Sequence, residues 1–265
     1  MIHNTLFGPV DIVKRAIEDI KEHEPKNGYY VANSFGKDSG VVHRLMEMAE
    51  VNFDAHHNFT TVDPPELIRH GLQNYSDTEI HRPKLPMLGP SGLIVKKGFP
   101  PTRGIRYCCS ILKERGGRDR LVATGKRKEE SPARSKITLI EQSRSDRRIT
   151  FFNPILEWTT QDIWEFTIRE KIPHCCLYDQ GFCRLGCVGC PLTGGKQMEF
   201  EFQFFPKYYV AYLRTFAKMI KERADMAENY GFTTPLDVMH WWMWKSHLSS
   251  DTTTQALLIN EGVSV

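Results

Sequence analysis

The 265-residue sequence contains no apolar run near the roughly 20 residues that a bilayer crossing needs, so no membrane partner is expected. Its first stretch, MIHNTLFGPVD, lacks a basic segment followed by an apolar one, and the expected location is the cytoplasm. An excess of one charge is missing too. Lys and Arg number 35 against 32 Asp and Glu, net +3, which announces no nucleic-acid binding in bulk and leaves local basic patches open. There is no internal repeat and no low-complexity tract. Cysteine is absent before position 108 and after position 190, and the seven present are clustered and odd in number. In a chain of this size such clustering points to metal or redox chemistry rather than a disulfide framework.

With 40% hydrophobic residues, the chain can bury one large core, or one core and a helical appendage. Val13, Ala16, Ile17 and Ile20 recur at helical spacing until PKNG stops the helix, and GYYVA then reads as a buried strand. Val41, Leu45, Met48 and Ala49 mark the next helix, and VNFDAHHNFTT the next strand. Strand, helix, strand implies a parallel unit. Asp63 is the expected N-cap of a further helix with Leu67, Ile68 and Leu72 on its apolar face. The Pro- and Gly-rich PKLPMLGPSG and KKGFPPTRG form a long irregular connection of the kind that often carries a site. RLVATGKR and ITFFNPIL resume strands, and from 159 the pattern turns helical: TTQDIWEFTIREK, a long helix from FPKYY to Gly231, and TPLDVMHWWMWKS. The expected fold is α/β, a doubly wound, mostly parallel sheet over 1–155, with a helical region over 156–265 that carries a Cys-rich metal loop at 175–195.

Between the first strand and its helix lies SFGKDS, Ser34 to Ser39. A tight strand-to-helix turn aims backbone N–H groups at one spot, and the helix N-terminus adds partial positive charge, so anions settle there. Ser34 and Ser39 offer hydroxyls, Phe35 completes the turn, and Gly36 lets the chain come close. Lys37 brings a mobile charge for a phosphate, and Asp38 suits a helix N-terminus or a metal ion. The spacing is not the Walker pattern G-x-x-x-x-G-K-S/T, and a plain capped turn uses the same residue types. Its place after the first strand favours the ligand reading, because open α/β sheets bind ligands at the strand C-terminal edge.

CVGC, Cys187 to Cys190, puts two thiolates where one short turn can aim both at a metal. Cys108, Cys109, Cys175, Cys176 and Cys183 are the candidates for the remaining ligands. Spacing alone does not separate zinc from an iron–sulfur cluster. His56, His57 and His174 read as structural. Trp241, Trp242 and Trp244 suit helix packing more cheaply than base stacking.

SFGKDS resembles the Ser-Gly-Gly-x-Asp-Ser turn of the PP-loop ATP pyrophosphatases, and its SFG resembles that of phosphoadenosine phosphosulfate (PAPS) reductases, one superfamily. TTVDPPELIRH, RYCCSILKE, TGKRKEESPAR and NPILEWTTQDIWEF leading to LYDQGFCRLGCVGCP are similar to the same group. The resemblance implies that Ser34, Phe35, Gly36, Lys37, Asp38 and Ser39 bind ATP or PAPS, with Arg127, Ser131 and Arg134 lining the nucleotide site. Lys37, Asp38 and Ser39 are the expected catalytic residues, with Mg²⁺. The resemblance also favours iron–sulfur, a 4Fe-4S cluster, over zinc. Cluster-bearing reductases match Cys108, Cys109, Cys187 and Cys190, whereas other cluster-bearing members take a ligand upstream of the Cys-x-x-Cys. The expected set is Cys108, Cys175, Cys187 and Cys190, with Cys109 the principal substitute.

PAPS reductases attack the sulfate sulfur with a cysteine on a C-terminal tail, whereas the pyrophosphatases adenylate an acceptor and let a nucleophile displace AMP. SSDTTTQALLINEGVSV lacks the Glu-Cys-Gly tail motif, and the turn keeps Lys37, Asp38 and Ser39. The expectation is therefore ATP cleavage to AMP and pyrophosphate for sulfur transfer to an acceptor such as a nucleic acid, with a sulfur-donor protein as partner and homo-oligomerisation open. Sulfonucleotide reduction is the alternative reading, and a non-catalytic nucleotide-binding redox sensor the third.

Overall fold

A computed structural model describes residues 1–245 except 6, 7, 133, 144 and 145; the tail SSDTTTQALLINEGVSV, 249–265, lies outside the described residues. The chain begins with β1 (Ile2–Thr5), β2 (Gly8–Asp11), α1 (Ile12–Glu22), β3 (Tyr29–Ala32), α2 (Lys37–Ala49) and β4 (Phe53–Asn58). It continues with α3 (Pro65–Asn74), β5 (Glu79–His81), α4 (Leu93–Lys97), β6 (Arg120–Ala123), β7 (Ile140–Gln142) and β8 (Ile149–Phe152). Five helices follow: α5 (Thr160–Arg169), α6 (Gly195–Phe204), α7 (Pro206–Glu222), α8 (Ala224–Asn229) and α9 (Pro235–His240).

Local chemistry sets these boundaries. The Asp11 carboxylate accepts from Val13 N at 3.1 Å and Lys14 N at 3.4 Å, satisfying N–H groups that α1 leaves unpaired. Thr159 and Asp162 form a reciprocal capping box at the start of α5, and Thr234 and Asp237 repeat it at α9. Asp63, expected as a cap, instead turns back, and its carboxylate accepts Thr60 N at 2.6 Å. The long helix expected up to Gly231 is broken at Arg223, where the guanidinium lies against Gly98 and pairs with Asp225.

The main sheet has the order β5-β4-β3-β6-β8-β7. β3 pairs in parallel with β4 and β6, and β6 with β8, while β7 adds an antiparallel edge strand. The mostly parallel sheet with surrounding helices is the fold class expected. Val31 lies opposite Ala55 and Ala123, and these residues join Val41, Leu45 and Met46 of α2 in the main core. Strand alternation turns Tyr30, Val122 and Ile149 to the other face, where they form a smaller cluster.

The chain divides into two compact units, Met1–His57 with Pro65–His81 and Gly116–Leu185, and Asn58–Pro64 with Arg82–Arg115 and Gly186–Val265. This differs from a single cut at 155, because α5 buries Ile163 and Phe166 in the core that holds Val41 and Leu45. Among the described residues no helix is long and apolar enough to cross a membrane.

Candidate functional site

In the first unit, the turn after β3 is organised by Asn33. Its carboxamide oxygen accepts from Phe35 N at 2.9 Å and from the Ser39 hydroxyl at 3.2 Å. Phe35 has φ 61°, a conformation unfavourable for a residue with a Cβ, and its buried ring is held by stacking on His57 at 4.2 Å. Ser34 N donates to Ser39 Oγ at 3.2 Å. The helix α2 starts at Lys37, so its positive end lies at this turn. Lys37 N donates to the Tyr178 hydroxyl at 3.0 Å. The Lys37 side chain is buried, and Nζ donates to Asp38 Oδ2 at 3.1 Å and to the Cys183 carbonyl at 3.5 Å.

A second cation braces the turn. Arg127, 3% exposed, donates from Nε to Asp38 Oδ1 at 2.8 Å and from Nη1 to Glu129 Oε2 at 2.7 Å and the Trp158 carbonyl at 3.2 Å. Both Asp38 oxygens are thus engaged by cations. Gly125 makes this approach feasible, since a Cβ there would stand 2.9 Å from the Asp38 carbonyl carbon. Ser131 and Arg134 join this network only indirectly, through Glu130, whose Oε1 accepts Arg127 N at 3.0 Å. Ser131 Oγ accepts Arg134 N at 3.3 Å, and the Arg134 guanidinium pairs with Glu130.

The second unit holds a cysteine group. Cys109 to Lys113 form a π-helical turn, and Cys187 and Cys190 flank the Val188–Gly189 turn. That turn is tied down by Val188 N to Val62 O at 2.8 Å, Tyr212 OH to Val188 O at 2.9 Å and Gly189 N to Glu201 Oε2 at 2.8 Å. Gly189 has φ 71°, and a Cβ there would meet the Phe202 ring at 2.7 Å, so only glycine fits. The thiol of Cys108 is pushed far up by its hydrogen bond with Cys109, then by burial and by Cys109, Cys187 and Cys190. The hydrogen bond from Cys108 lowers the Cys109 thiol, with Lys113 and Arg106 assisting. Burial pushes Cys187 up to about 11, and Thr60 lies 3.4 Å from its sulfur. Lys113 is held charged well above its usual range, mainly by Cys187 and further by Asp63, Cys190 and Cys109. Sulfurs that raise one another's proton affinity, with Lys113 the buried cation beside them, fit a metal group whose charge offsets their repulsion.

Cys175 belongs to the first unit, where it is 1% exposed, raised to about 11 by burial, and influenced by Cys176 and Glu66. Cys176 and Cys183 are exposed thiols of the same unit.

Residues 28–193, more than half of the chain, match the family described as phosphoadenosine phosphosulfate reductase domain. The chain belongs to that family. An adenosine 5'-phosphosulfate reductase of Neisseria meningitidis is 34% identical over 101 residues, 35% of this chain and 41% of that protein. The chain thus spans less than half the length of the curated relatives it matches first. The crystal structure of a PAPS reductase from Candida auris, a phosphate complex, aligns at TM-score 0.49 and 19% identity over 66% of this chain and 89% of that one. A U34-tRNA thiolase from Methanococcus maripaludis with its 4Fe-4S cluster aligns at 0.42 and 12% identity over 81% and 80%. Both scores are low, so neither likeness bears on chemistry.

In this PAPS reductase family member the turn from Ser34 to Ser39 lies between β3 and α2, where the sequence placed it, and Arg127 reaches it through Asp38. Of the expected ligands, Cys108, Cys187 and Cys190 lie in the second unit together with Cys109, and Cys175 lies in the first. Tyr178, Asn33, Thr60 and Tyr212 escaped the sequence reading. Only Asn33, directly before the turn, carried a local signal. His57 bonds Asn33 O at 2.9 Å, His174 bonds Asp179 at 3.0 Å, and buried Trp242 donates to Pro101 O at 2.7 Å, all structural roles.

Proposed function

We propose that the chain binds ATP on the turn from Ser34 to Ser39 and cleaves it between the α and β phosphates, activating an acceptor for sulfur transfer. The observation that carries this reading is the buried Lys37 ammonium at the N-terminus of α2, braced through Asp38 by Arg127. An acceptor oxygen attacks the α phosphorus, the bond to the bridging oxygen breaks, and pyrophosphate leaves with that electron pair. Lys37 and the helix N-terminus stabilise the charge that develops on it. Asp38 is already shared between two cations, so Mg²⁺ would be held chiefly by the nucleotide's phosphates, where it would supply charge neutralisation. A sulfur nucleophile then displaces AMP from the acceptor, for which a nucleic acid is proposed, with a protein as sulfur donor.

Cys108, Cys109, Cys187 and Cys190 would hold an iron–sulfur cluster, Cys109 taking the place expected of Cys175. An iron–sulfur cluster, when bound, supplies a place to carry sulfur.

A second reading, reduction of a sulfonucleotide, is favoured by one feature. The exposed thiol of Cys183 sits on the residue whose carbonyl accepts from Lys37 Nζ. A thiolate there would attack the sulfate sulfur and release the adenosine phosphate, leaving a thiosulfonate for a second thiol to reduce.

The test is to prepare the protein anaerobically and measure thermal stabilisation by ATP with Mg²⁺ against PAPS, with pyrophosphate release as the activity. Preference for ATP, release abolished in Lys37→Ala and unaffected in Cys183→Ser, supports the first reading. Preference for PAPS, with sulfite formation lost in Cys183→Ser, replaces it with the second.

A further inference from the structure

On the opposite edge of the first unit's sheet from β7, alternation gathers four polar side chains on one face. Asp54 and His56 are two apart on β4, and Glu79 and His81 are two apart on the neighbouring β5. His56 Nδ1 lies 2.9 Å from His81 Nε2 and 3.5 Å from Glu79 Oε2, and His81 Nδ1 is 3.6 Å from Glu79 Oε1. One ligand atom from each of His56, Glu79 and His81 falls within 4.8 Å of the others.

The other nitrogen of His56 is committed. Nε2 bonds the Asp54 carboxylate, an acceptor, so the proton sits on Nε2 and the Nδ1 lone pair points at His81 and Glu79. Asp54 is itself fixed: Arg120 donates to it from Nη1 at 2.8 Å, and Arg120 Nη2 donates to the carbonyls of Asn27, Gly28 and Tyr29 at 3.1–3.2 Å. The Tyr30 ring stacks on His56 at 3.9 Å and sets the plane of the imidazole. A carboxylate that fixes the tautomer and plane of a buried histidine is the support that metal-ligating histidines receive. Glu79 and His81 are 66% and 34% exposed, which leaves an entry path for an ion and room for water.

We propose that His56, Glu79 and His81 form a binding site for a divalent transition-metal ion, zinc by the chemistry of two imidazoles and one carboxylate, with the fourth position open to water. The site is separate from the cysteine group and independent of the reaction assigned to the phosphate turn.

Anaerobic titration of the full chain with Co²⁺, followed by absorption, distinguishes the two kinds of ligand. The expected result is a bound fraction with weak ligand-field bands and no thiolate-to-metal charge transfer, displaced by Zn²⁺ and retained in Cys187→Ser. His81→Ala and Glu79→Gln, both at accessible positions, lose that fraction. Asp54→Asn weakens it about 10- to 100-fold. If all bound Co²⁺ shows thiolate charge transfer, or His81→Ala binds the ion as the parent does, His56 and His81 are only a hydrogen-bonded pair and the proposal fails.

Discussion

Arg127 Nε donates to Asp38 Oδ1 at 2.8 Å, so a guanidinium from the loop after β6 pins the first turn of α2. The same carboxylate holds Lys37 Nζ through its other oxygen. One side chain therefore orients both cations at the turn before α2. Removing Arg127 leaves Asp38 to Lys37 alone and takes the guanidinium from Glu129.

Arg127→Ala is expected to destabilise the protein by about 3 kcal/mol, the scale for breaking a buried ion pair from one side, and to lose nucleotide-dependent stabilisation. Arg127→Lys recovers little of either, because a single ammonium cannot serve Asp38, Glu129 and the Trp158 carbonyl together. Thermal unfolding with and without ATP measures both effects; full rescue by lysine would refute the brace.

The Tyr178 hydroxyl occupies the Lys37 amide, which a phosphate oxygen needs at an anion-binding turn. Tyr178→Phe frees that amide, and ATP affinity is expected to rise about threefold, the value of one hydrogen bond of modest net strength. Weaker binding in this variant, by equilibrium titration, would mean that the hydroxyl itself contacts the nucleotide.

Cys109→Ala is expected to lose the iron–sulfur absorption of anaerobically reconstituted protein, along with Cys108→Ala, Cys187→Ala and Cys190→Ala. Cys175→Ala keeps it, provided the buried site tolerates the smaller side chain. Iron and sulfide content decide the matter: a Cys175 variant that folds but binds no cluster restores the set that includes Cys175.

In cluster-free protein, Cys109 is lowered to about 6 by the hydrogen bond from Cys108, while Cys187 is raised to about 11 by burial. A lowered thiol is ionised, and its contribution to stability present, above its unfolded value near 9, and that contribution is lost as pH falls through about 6. Alkylation of Cys109 should therefore rise with a midpoint near 6 while Cys187 stays unreactive across neutral pH. Mass mapping of the modified cysteine over a pH series reads this, and Lys113→Ala should move the Cys109 midpoint upward, since Lys113 favours its thiolate.

Features written within a few residues were legible in the amino-acid sequence. The Thr159 cap, the strand-to-helix turn after GYYVA and the Cys187–Cys190 turn each depend on local geometry at short spacing, which one-dimensional pattern captures. The parallel order also followed, because a strand, helix and strand in succession permit little else. The partners that complete each site were decided by tertiary packing alone. Tyr178 reaches Lys37 across 141 positions, and Arg127 reaches Asp38 across 89. The cysteine pair at 108 and 109 and the one at 187 and 190 meet within one unit, whereas Cys175, much nearer to Cys187 in sequence, folds into the other. His56, Glu79 and His81 converge only because β4 and β5 are neighbours in the sheet. Strand order and the docking of irregular segments are set by which apolar faces bury one another, and that choice depends on the whole core rather than on any short stretch of chain.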